Sequence, residues 1–385
     1  MNVYIRELSR EMAKRAHTMD IFTRRVEADT PEVVNIDERT RVVQITAGPL
    51  NADKAALREY TGEFHDGVLA FQRRDGREYD LIHSHYWLSG LVGRGLKAEW
   101  TAPHTAMFHT LAEAKNRHHL SEREPEYRID GERLVAHSVD RVICASEGER
   151  NMLADVYGVP THHVSVVPCG VDVDHFRPQD RQAARKTVGI DGNDPIILFV
   201  GRIERLKGID ILIRAAAQLE AGFQLVIIGG DRKDASRKQE LVDLSRELGI
   251  SERVHFLDAV PHDQLPLHYS AADVCVVPSY YESFGLVAVE AMACGVPVIA
   301  SRVGGLKDTV QDGRTGYLVP WHCPEPFAER LELLLTNESL RRSLGREARL
   351  TAERYRWSEV AASVEGVYHE LVSAYRGETV GAHVA

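Results

Sequence analysis

Long apolar runs are missing from this chain. The longest, such as Ile196 to Val200, are strand-length, far short of the roughly 20 residues of a membrane-spanning helix. Positive charge is also in short supply. Lys and Arg number 47 against 57 Asp and Glu, a formal net charge of -10. That balance argues against broad binding to nucleic acid or anionic lipid, and leaves room only for a local basic pocket. Cysteine is scarce: Cys144, Cys169, Cys275, Cys294 and Cys323 are scattered and form no Cys-x-x-Cys pair. An odd, scattered set suits a reducing compartment, so a cytoplasmic location is expected. The amino end carries Arg6, Glu7, Arg10 and Glu11 and reads as a charged helix rather than a secretion signal. There is no Gly-x-x-x-x-Gly-Lys-Ser/Thr loop, no internal repeat and no low-complexity segment.

What is present has a clear rhythm. The 385 residues suit two domains. Short β-branched runs alternate with longer amphipathic stretches, as in an α/β fold with parallel sheets. Strands are expected at Met19–Thr23, Val42–Thr46, Leu81–His83, His104–Phe108, Arg141–Cys144 and Val164–Val167. A second series falls at Ile196–Val200, Gln224–Ile228, Val254–Leu257, Val274–Val277, Pro297–Ala300 and Gly316–Val319. The rhythm breaks between Pro168 and Asp194, which places a linker near Gly170–Pro178. The expected division is 1–172, 173–355 and a C-terminal helical segment, 356–385, that crosses back to the first domain. Ile5, Leu8, Met12 and Ala16 lie at helical spacing, so a helix opens the chain. Doubly wound domains normally place a strand and a Gly-rich turn before that helix.

Three features carry chemistry. Gly201-Arg202-Ile203-Glu204-Arg205-Leu206-Lys207-Gly208 follows an apolar strand and precedes a helix. Ligands of open α/β sheets bind at such strand ends. Arg202 can grip phosphate oxygens in a fork and Lys207 adds a point charge, although a solvated loop has the same composition. Pro278-Ser279-Tyr280-Tyr281-Glu282-Ser283-Phe284-Gly285-Leu286 runs from a strand into a helix that starts near Gly285, whose free N–H groups favour an anion. Gly285 to Glu290 would rise about 7.5 Å as helix, so Glu282 and Glu290 fit two separate hydroxyl-binding roles better than an acid/base pair. Glu290 is either a surface acid or, given its neighbours Val287, Ala288, Val289, Ala291 and Met292, a buried and partnered one. His109 follows the strand ending at Phe108 and is either a structural histidine or one facing the ligand.

Several patterns are set aside. Asp172-Val173-Asp174 matches an Asp-x-Asp ion site but lies in the linker, where a turn is expected. His83 with His85, His118 with His119, and His162 with His163 lack further ligands, so no metal is expected. Gly93-Arg94-Gly95 is taken to follow a helix rather than a strand, and so is no dinucleotide fingerprint.

Together these residues resemble glycosyltransferase family 4, the retaining enzymes with the GT-B fold of two Rossmann-like domains facing a central cleft. The carriers are Gly201-Arg202 with Lys207-Gly208, Glu282-x7-Glu290 with Ser283-Phe284-Gly285, Gly304-Gly305, and Pro168-x-Gly170-Val171-Asp172 with Phe176. The resemblance implies that Arg202 and Lys207 hold a diphosphate, and that Glu282 with the backbone of Ser283, Phe284 and Gly285 holds sugar hydroxyls. It places a phosphate at the helix start near Leu286, ribose hydroxyls at Glu290, and His109 beside the reacting carbon or the 6-hydroxyl. Catalysis would retain configuration and need no cofactor, with a nucleotide diphosphate sugar as co-substrate, UDP-glucose or UDP-N-acetylglucosamine being the expected donors. Arg202, Lys207 and the helix terminus can stabilise the leaving diphosphate without a metal.

The first half narrows the likeness. Asn2-Val3-Tyr4-Ile5-Arg6-Glu7-Leu8, Asp80 to Trp87, and His109-Thr110-Leu111 with Lys115-Asn116 resemble the subgroup containing the mycothiol-pathway inositol-phosphate N-acetylglucosaminyltransferase and the sucrose-phosphate synthases. By that similarity Asn2, Lys54, Tyr86 and Thr110 line an acceptor-phosphate pocket. Tyr127 stands where the mycothiol enzyme has an arginine, and the adjacent Arg128 is either its neighbour or its substitute. The partners implied are a small-molecule donor and acceptor, the latter a sugar phosphate or inositol phosphate, with a homodimer allowed. The family pattern has a first strand and a Gly-Gly pair before the residues matching Met1-Asn2, so the N-terminal domain is expected to lack its first strand. A sugar-nucleotide binder without turnover and a nucleotide-sugar 2-epimerase are the alternatives.

Overall fold

The computed structural model describes residues 1–117, 123–190, 192, 194–230, 235–320 and 323–377. His118 and His119 lie outside that set. The chain divides into two compact units. The first comprises 1–114, 123–168 and 357–385, the second 115–122 and 169–356.

Unit one has strands β1 (Met19–Arg24), β2 (Val33–Asn35), β3 (Thr40–Ile45), β4 (Ile82–His85), β5 (His104–Met107), β6 (Arg141–Cys144) and β7 (Val164–Val166). They form two sheets. One has the order β1-β3-β2, with β1 parallel and β2 antiparallel to β3; the other is β4-β5-β6-β7, parallel throughout. The two sheets share one core on one face, where Val43, Ile45, Val68, Phe71, Ile82 and Leu96 meet beneath the helices Thr61–Asp75 and Trp87–Trp100. The helix Asn2–Lys14 buries Tyr4, Leu8 and Met12, a stripe at spacing four, and packs on β1, β3 and the helix Trp357–Arg376. Ala16 has already left that helix, at φ 69°.

Unit two has β8 (Ile196–Val200), β9 (Gln224–Ile228), β10 (Val254–Leu257), β11 (Val274–Val277), β12 (Val298–Ser301) and β13 (Gly316–Val319) in one parallel sheet of order β10-β9-β8-β11-β12-β13. Ile196 to Phe199 and all of β11 and β12 are buried. That burial on both faces explains why these strands read as unbroken apolar runs rather than alternating ones. Strand order reverses between β8 and β11, which makes the carboxyl ends of these two strands the natural ligand crevice.

Every expected strand is present, with ends shifted by a residue or two; β2 was not foreseen. One expectation needs correcting: Gly93-Arg94-Gly95 lies inside the helix Trp87–Trp100, not after a helix. There the glycines allow close packing, since a Cβ at Gly93 would lie 2.5 Å from His104 Nε2. Asp172 makes a turn: its Oδ1 accepts from the N–H groups of Asp174 (3.1 Å) and His175 (3.0 Å).

Candidate functional site

The two charged loops of unit two leave β8 and β11 side by side. Arg202 and Lys207 lie on the first, Glu282 to Gly285 on the second. Lys207 Nζ donates to Glu282 Oε2 at 2.6 Å, and Ser279 Oγ donates to the same oxygen at 3.3 Å. Gly208 allows the loops to meet: at φ 65° it is left-handed, and a Cβ there would sit 2.1 Å from the Pro278 carbonyl oxygen. The Gly304-Gly305 pair supports the loop from the other side. Gly305 N–H donates to the Glu282 carbonyl at 2.9 Å, and a Cβ at Gly304 or Gly305 would fall 2.0 or 2.3 Å from the carbonyl oxygens of Glu282 and Ser283. Arg202 is exposed and ion-paired with Glu204.

The helix Leu286–Ala293 begins directly after Gly285, with Leu286 and Val287 half-buried. The first N–H groups of such a helix have no partner within it and carry the positive end of its dipole. Glu290 is buried and doubly bonded: Tyr269 OH donates to Oε2 at 2.9 Å, and His262 Nε2 lies 2.9 Å from Oε1. The choice between surface and buried acid is therefore settled in favour of the buried one. His262 and Tyr269 were not singled out from the sequence, because nothing in their spacing points at Glu290.

In unit one, His109 sits at the carboxyl end of β5 with φ 62°, and Tyr86 at the end of β4 with φ 77°. Left-handed backbone in a bulky residue is costly and clusters at functional sites. Here two instances end adjacent strands. His109 Nε2 lies 3.0 Å from His85 Nδ1, and Tyr4 packs edge-on against both rings. Burial pushes the His109 imidazole down to about 3 and holds His83 and His85 well below the usual histidine range. All three rings are neutral at physiological pH, and the His85–His109 pair has one donor and one acceptor nitrogen facing each other.

Tyr86 is the hub of the residues expected for an acceptor. Lys54 Nζ lies 5.6 Å and Arg128 Cζ 5.1 Å from its ring centroid. Arg128 donates to the Thr110 carbonyl at 2.8 Å, and Thr110 Oγ1 donates to the His109 carbonyl at 2.7 Å. Arg128 is itself buried and paired with Glu124 and Glu132, each at 2.8 Å, so its guanidinium braces the loop after β5. Arg58 stacks on Tyr127 at 4.3 Å, a cation the sequence did not single out although it stands four residues after Lys54. Asn2 lines a different cleft, with His83 and His85. Among the described residues, one group could offer three ligand atoms to a cation: His17, Glu365 and His369. Its carboxylate already bonds His17 at 2.7 Å and Arg15 at 2.8 Å.

Residues 1–175 match the family described as Glycosyltransferase Family 4, and residues 180–351 match Glycosyl transferases group 1. The chain is 40% identical over 392 residues to a D-inositol 3-phosphate glycosyltransferase of Corynebacterium jeikeium, spanning 98% of this chain and 93% of that one. It is 41% identical over 388 residues to D-inositol 3-phosphate glycosyltransferase 2 of Catenulispora acidiphila, covering 98% and 91%. Among solved structures, sucrose-phosphate synthase from Thermosynechococcus elongatus superposes with a TM-score of 0.88 at 35% identity, over 97% of this chain and 94% of that one.

Proposed function

Because the chain belongs to glycosyltransferase family 4, with the GT-B fold, we propose that it moves a hexosyl group from a nucleotide diphosphate sugar to a hydroxyl of a sugar phosphate or inositol phosphate, with retention of configuration and without a metal. The observation that carries this reading is the meeting of the Lys207 and Glu282 loops at the sheet's reversal point, beside the start of the helix Leu286–Ala293. Two cations and a helix terminus there suit a diphosphate. Glu282 and the backbone of Ser283 to Gly285 suit sugar hydroxyls, and Glu290, held by Tyr269 and His262, suits a ribose diol. Unit one supplies the acceptor groups: Lys54, Tyr86 and Thr110, with Arg128 bracing the loop and Asn2 nearer His85.

In the transfer, a lone pair of the acceptor oxygen forms the new bond to the anomeric carbon. The bond from that carbon to the diphosphate oxygen breaks, its electron pair leaving with the diphosphate, and the acceptor proton passes to a diphosphate oxygen. Charge grows on the leaving group, where Arg202, Lys207 and the helix N–H groups oppose it. Neutral His109 offers a hydrogen bond to the sugar without adding charge. The test is a matrix of UDP-, GDP- and ADP-sugars against glucose 6-phosphate, fructose 6-phosphate and inositol phosphates, read as nucleotide diphosphate release and product anomer. Acceptor-dependent release of UDP with a retained anomer is expected. Donor binding with no turnover against any acceptor would leave a sugar-nucleotide binder.

A further inference from the structure

Unit one brings together three metal-ligating side chains from segments far apart in the chain. The helix Asn2–Lys14 ends in a left-handed turn at Ala16, φ 69°. There the Ala16 N–H donates to the Ala13 carbonyl and the His17 N–H to the Met12 carbonyl, both at 3.0 Å. These are the two bonds of a Schellman cap, formed here without the usual glycine. They fix the backbone of His17 just before β1. Glu365 and His369 stand four residues apart on the helix Trp357–Arg376 and so share one face. His17 meets that face. Its Nε2 lies 2.7 Å from Glu365 Oε1, and its ring centroid lies 6.1 Å from that of His369. His369 Nε2 lies 4.0 Å from the same carboxylate oxygen.

The spacing suits a four-coordinate ion. Ligands about 2.0–2.1 Å from a tetrahedral zinc stand roughly 3.3 Å from one another. One ligand atom from each of the three residues lies within 4.8 Å of the other two, so closure on an ion needs shifts of roughly 1 Å. His369, with a side chain 71% exposed, is placed to supply them. The other carboxylate oxygen is already anchored: Arg15 Nη1 donates to Glu365 Oε2 at 2.8 Å, and Arg15 Nη2 to the Ser358 carbonyl at 3.0 Å. A carboxylate held through one oxygen presents the other in a fixed direction, as the outer partners of metal ligands do. Arg15 also decides which metal fits. Its charge offsets the single carboxylate, so Mg²⁺ and Ca²⁺, which bind through several oxygens, gain little. Two imidazoles favour Zn²⁺ and its neighbours Co²⁺, Ni²⁺ and Cu²⁺.

We propose that His17, Glu365 and His369 form a binding site for a borderline divalent transition metal, Zn²⁺ above all, with water in the fourth position. The site uses none of the residues assigned to donor or acceptor and rests on no step of the proposed transfer. The ion takes the place of the His17–Glu365 hydrogen bond, and any proton on the ligating nitrogens passes to solvent. Its occupancy ties the segment entering β1 to the helix Trp357–Arg376, which already packs on the helix Asn2–Lys14. The metal is therefore a staple of unit one rather than part of the chemistry.

The test uses the whole chain, free of any affinity tag and stripped with a chelator, titrated calorimetrically with zinc chloride. One binding event per chain is expected, and His17→Ala and His369→Ala should each weaken it at least about tenfold. Magnesium and calcium chloride should not produce it. Zinc should raise the melting temperature of the parent and of neither variant, because the ion binds the folded arrangement. Cobalt(II) supplies a second readout that does not depend on losing a ligand. His369→Cys should keep the site and add an intense thiolate-to-cobalt absorption that the parent lacks. No zinc binding by the parent overturns the proposal. So does equal affinity in the parent and both alanine variants, which would place the ion on other histidines, and so does cobalt binding to His369→Cys without the new absorption.

Discussion

The two units solve the same architectural problem differently. Unit two carries an unbroken six-stranded sheet, and its candidate site is made of glycines and ion pairs on two loops. Unit one carries its strands in two sheets, and its candidate site sets buried neutral histidines beside Lys54 and the left-handed backbone of Tyr86 and His109. The buried charge cluster at its Asp20 is structural. The Asp20 carboxylate accepts from Arg41 (two bonds of 2.7 Å), Tyr79 (2.6 Å) and Arg77 (3.0 Å), with the Asp20 side chain 1% exposed. In unit two Lys207 and Glu282 stand where a ligand can reach them, while a buried carboxylate, Asp273, holds Arg181, Arg185 and Arg341; the Asp20 cluster likewise holds unit one together. Mutations in the two places should therefore separate activity from stability.

The largest effect is expected at Lys207. Lys207→Ala removes the cation proposed to face the leaving group, and turnover should fall by about a hundred- to a thousand-fold with little change in melting temperature. Steady-state transfer and calorimetric donor binding measure this; unchanged donor binding would detach Lys207 from the diphosphate. Next is Asp20→Asn, which leaves Arg41 and Arg77 around a neutral side chain with Asp75 as their remaining acidic partner. Breaking one partner of a buried pair costs about 3–5 kcal/mol, so the denaturant midpoint of unit one should drop while UDP binding is retained. If donor affinity fell in step, the separation of the two roles would fail.

The same contrast decides what was legible in the sequence. The strands of unit two and the loops at Arg202 and Glu282 were readable because their signals are local: apolar runs, then glycines and charges at fixed offsets. The partners of Glu290 were not, because His262 and Tyr269 reach it from other elements. The histidines His83 and His85 were set aside for want of further ligands, yet they adjoin His109 through the pairing of β4 with β5. Strand β2 escaped because three residues, two of them exposed, carry almost no pattern. The left-handed backbone of Tyr86 and His109 has no sequence signal in such residues at all. Arg128, read from the sequence as either a neighbour of Tyr127 or a substitute for the arginine expected there, is closed by Glu124 and Glu132.

Acid should act on the units unequally. Burial holds His83, His85, His104 (down to about 4) and His109 (down to about 3) below the range they take when unfolded. As pH falls below about 6.5, the unfolded chain takes up protons that the folded one refuses, so stability falls. Glu149, pushed up to about 7 by burial, and Glu132, also raised, keep protons in the folded state and offset part of the loss. Four histidines against two carboxyls leave a net loss of stability as pH falls from about 6 to about 4.5. Hydrogen exchange in β4 to β6 should accelerate over that window before exchange in β8 to β12 does. The reverse order would show that the buried histidines do not set the acid limit.

The smallest effect tests the exposed charges of unit two against the buried ones of unit one. Arg202 is paired with Glu204 while 70% exposed, and an exposed pair of this kind contributes about 0–1 kcal/mol. Glu204→Gln should leave the melting temperature nearly unchanged. In the proposed reaction Arg202 must exchange that carboxylate for a phosphate, so removing the competitor should lower KM for the donor about two- to threefold, a gain of under 1 kcal/mol, with kcat held. A raised KM would mean that Glu204 orients Arg202 rather than competing for it. The arginine would then be prearranged by its partner, as Arg41 is by Asp20, and the contrast between the two units would narrow at that residue.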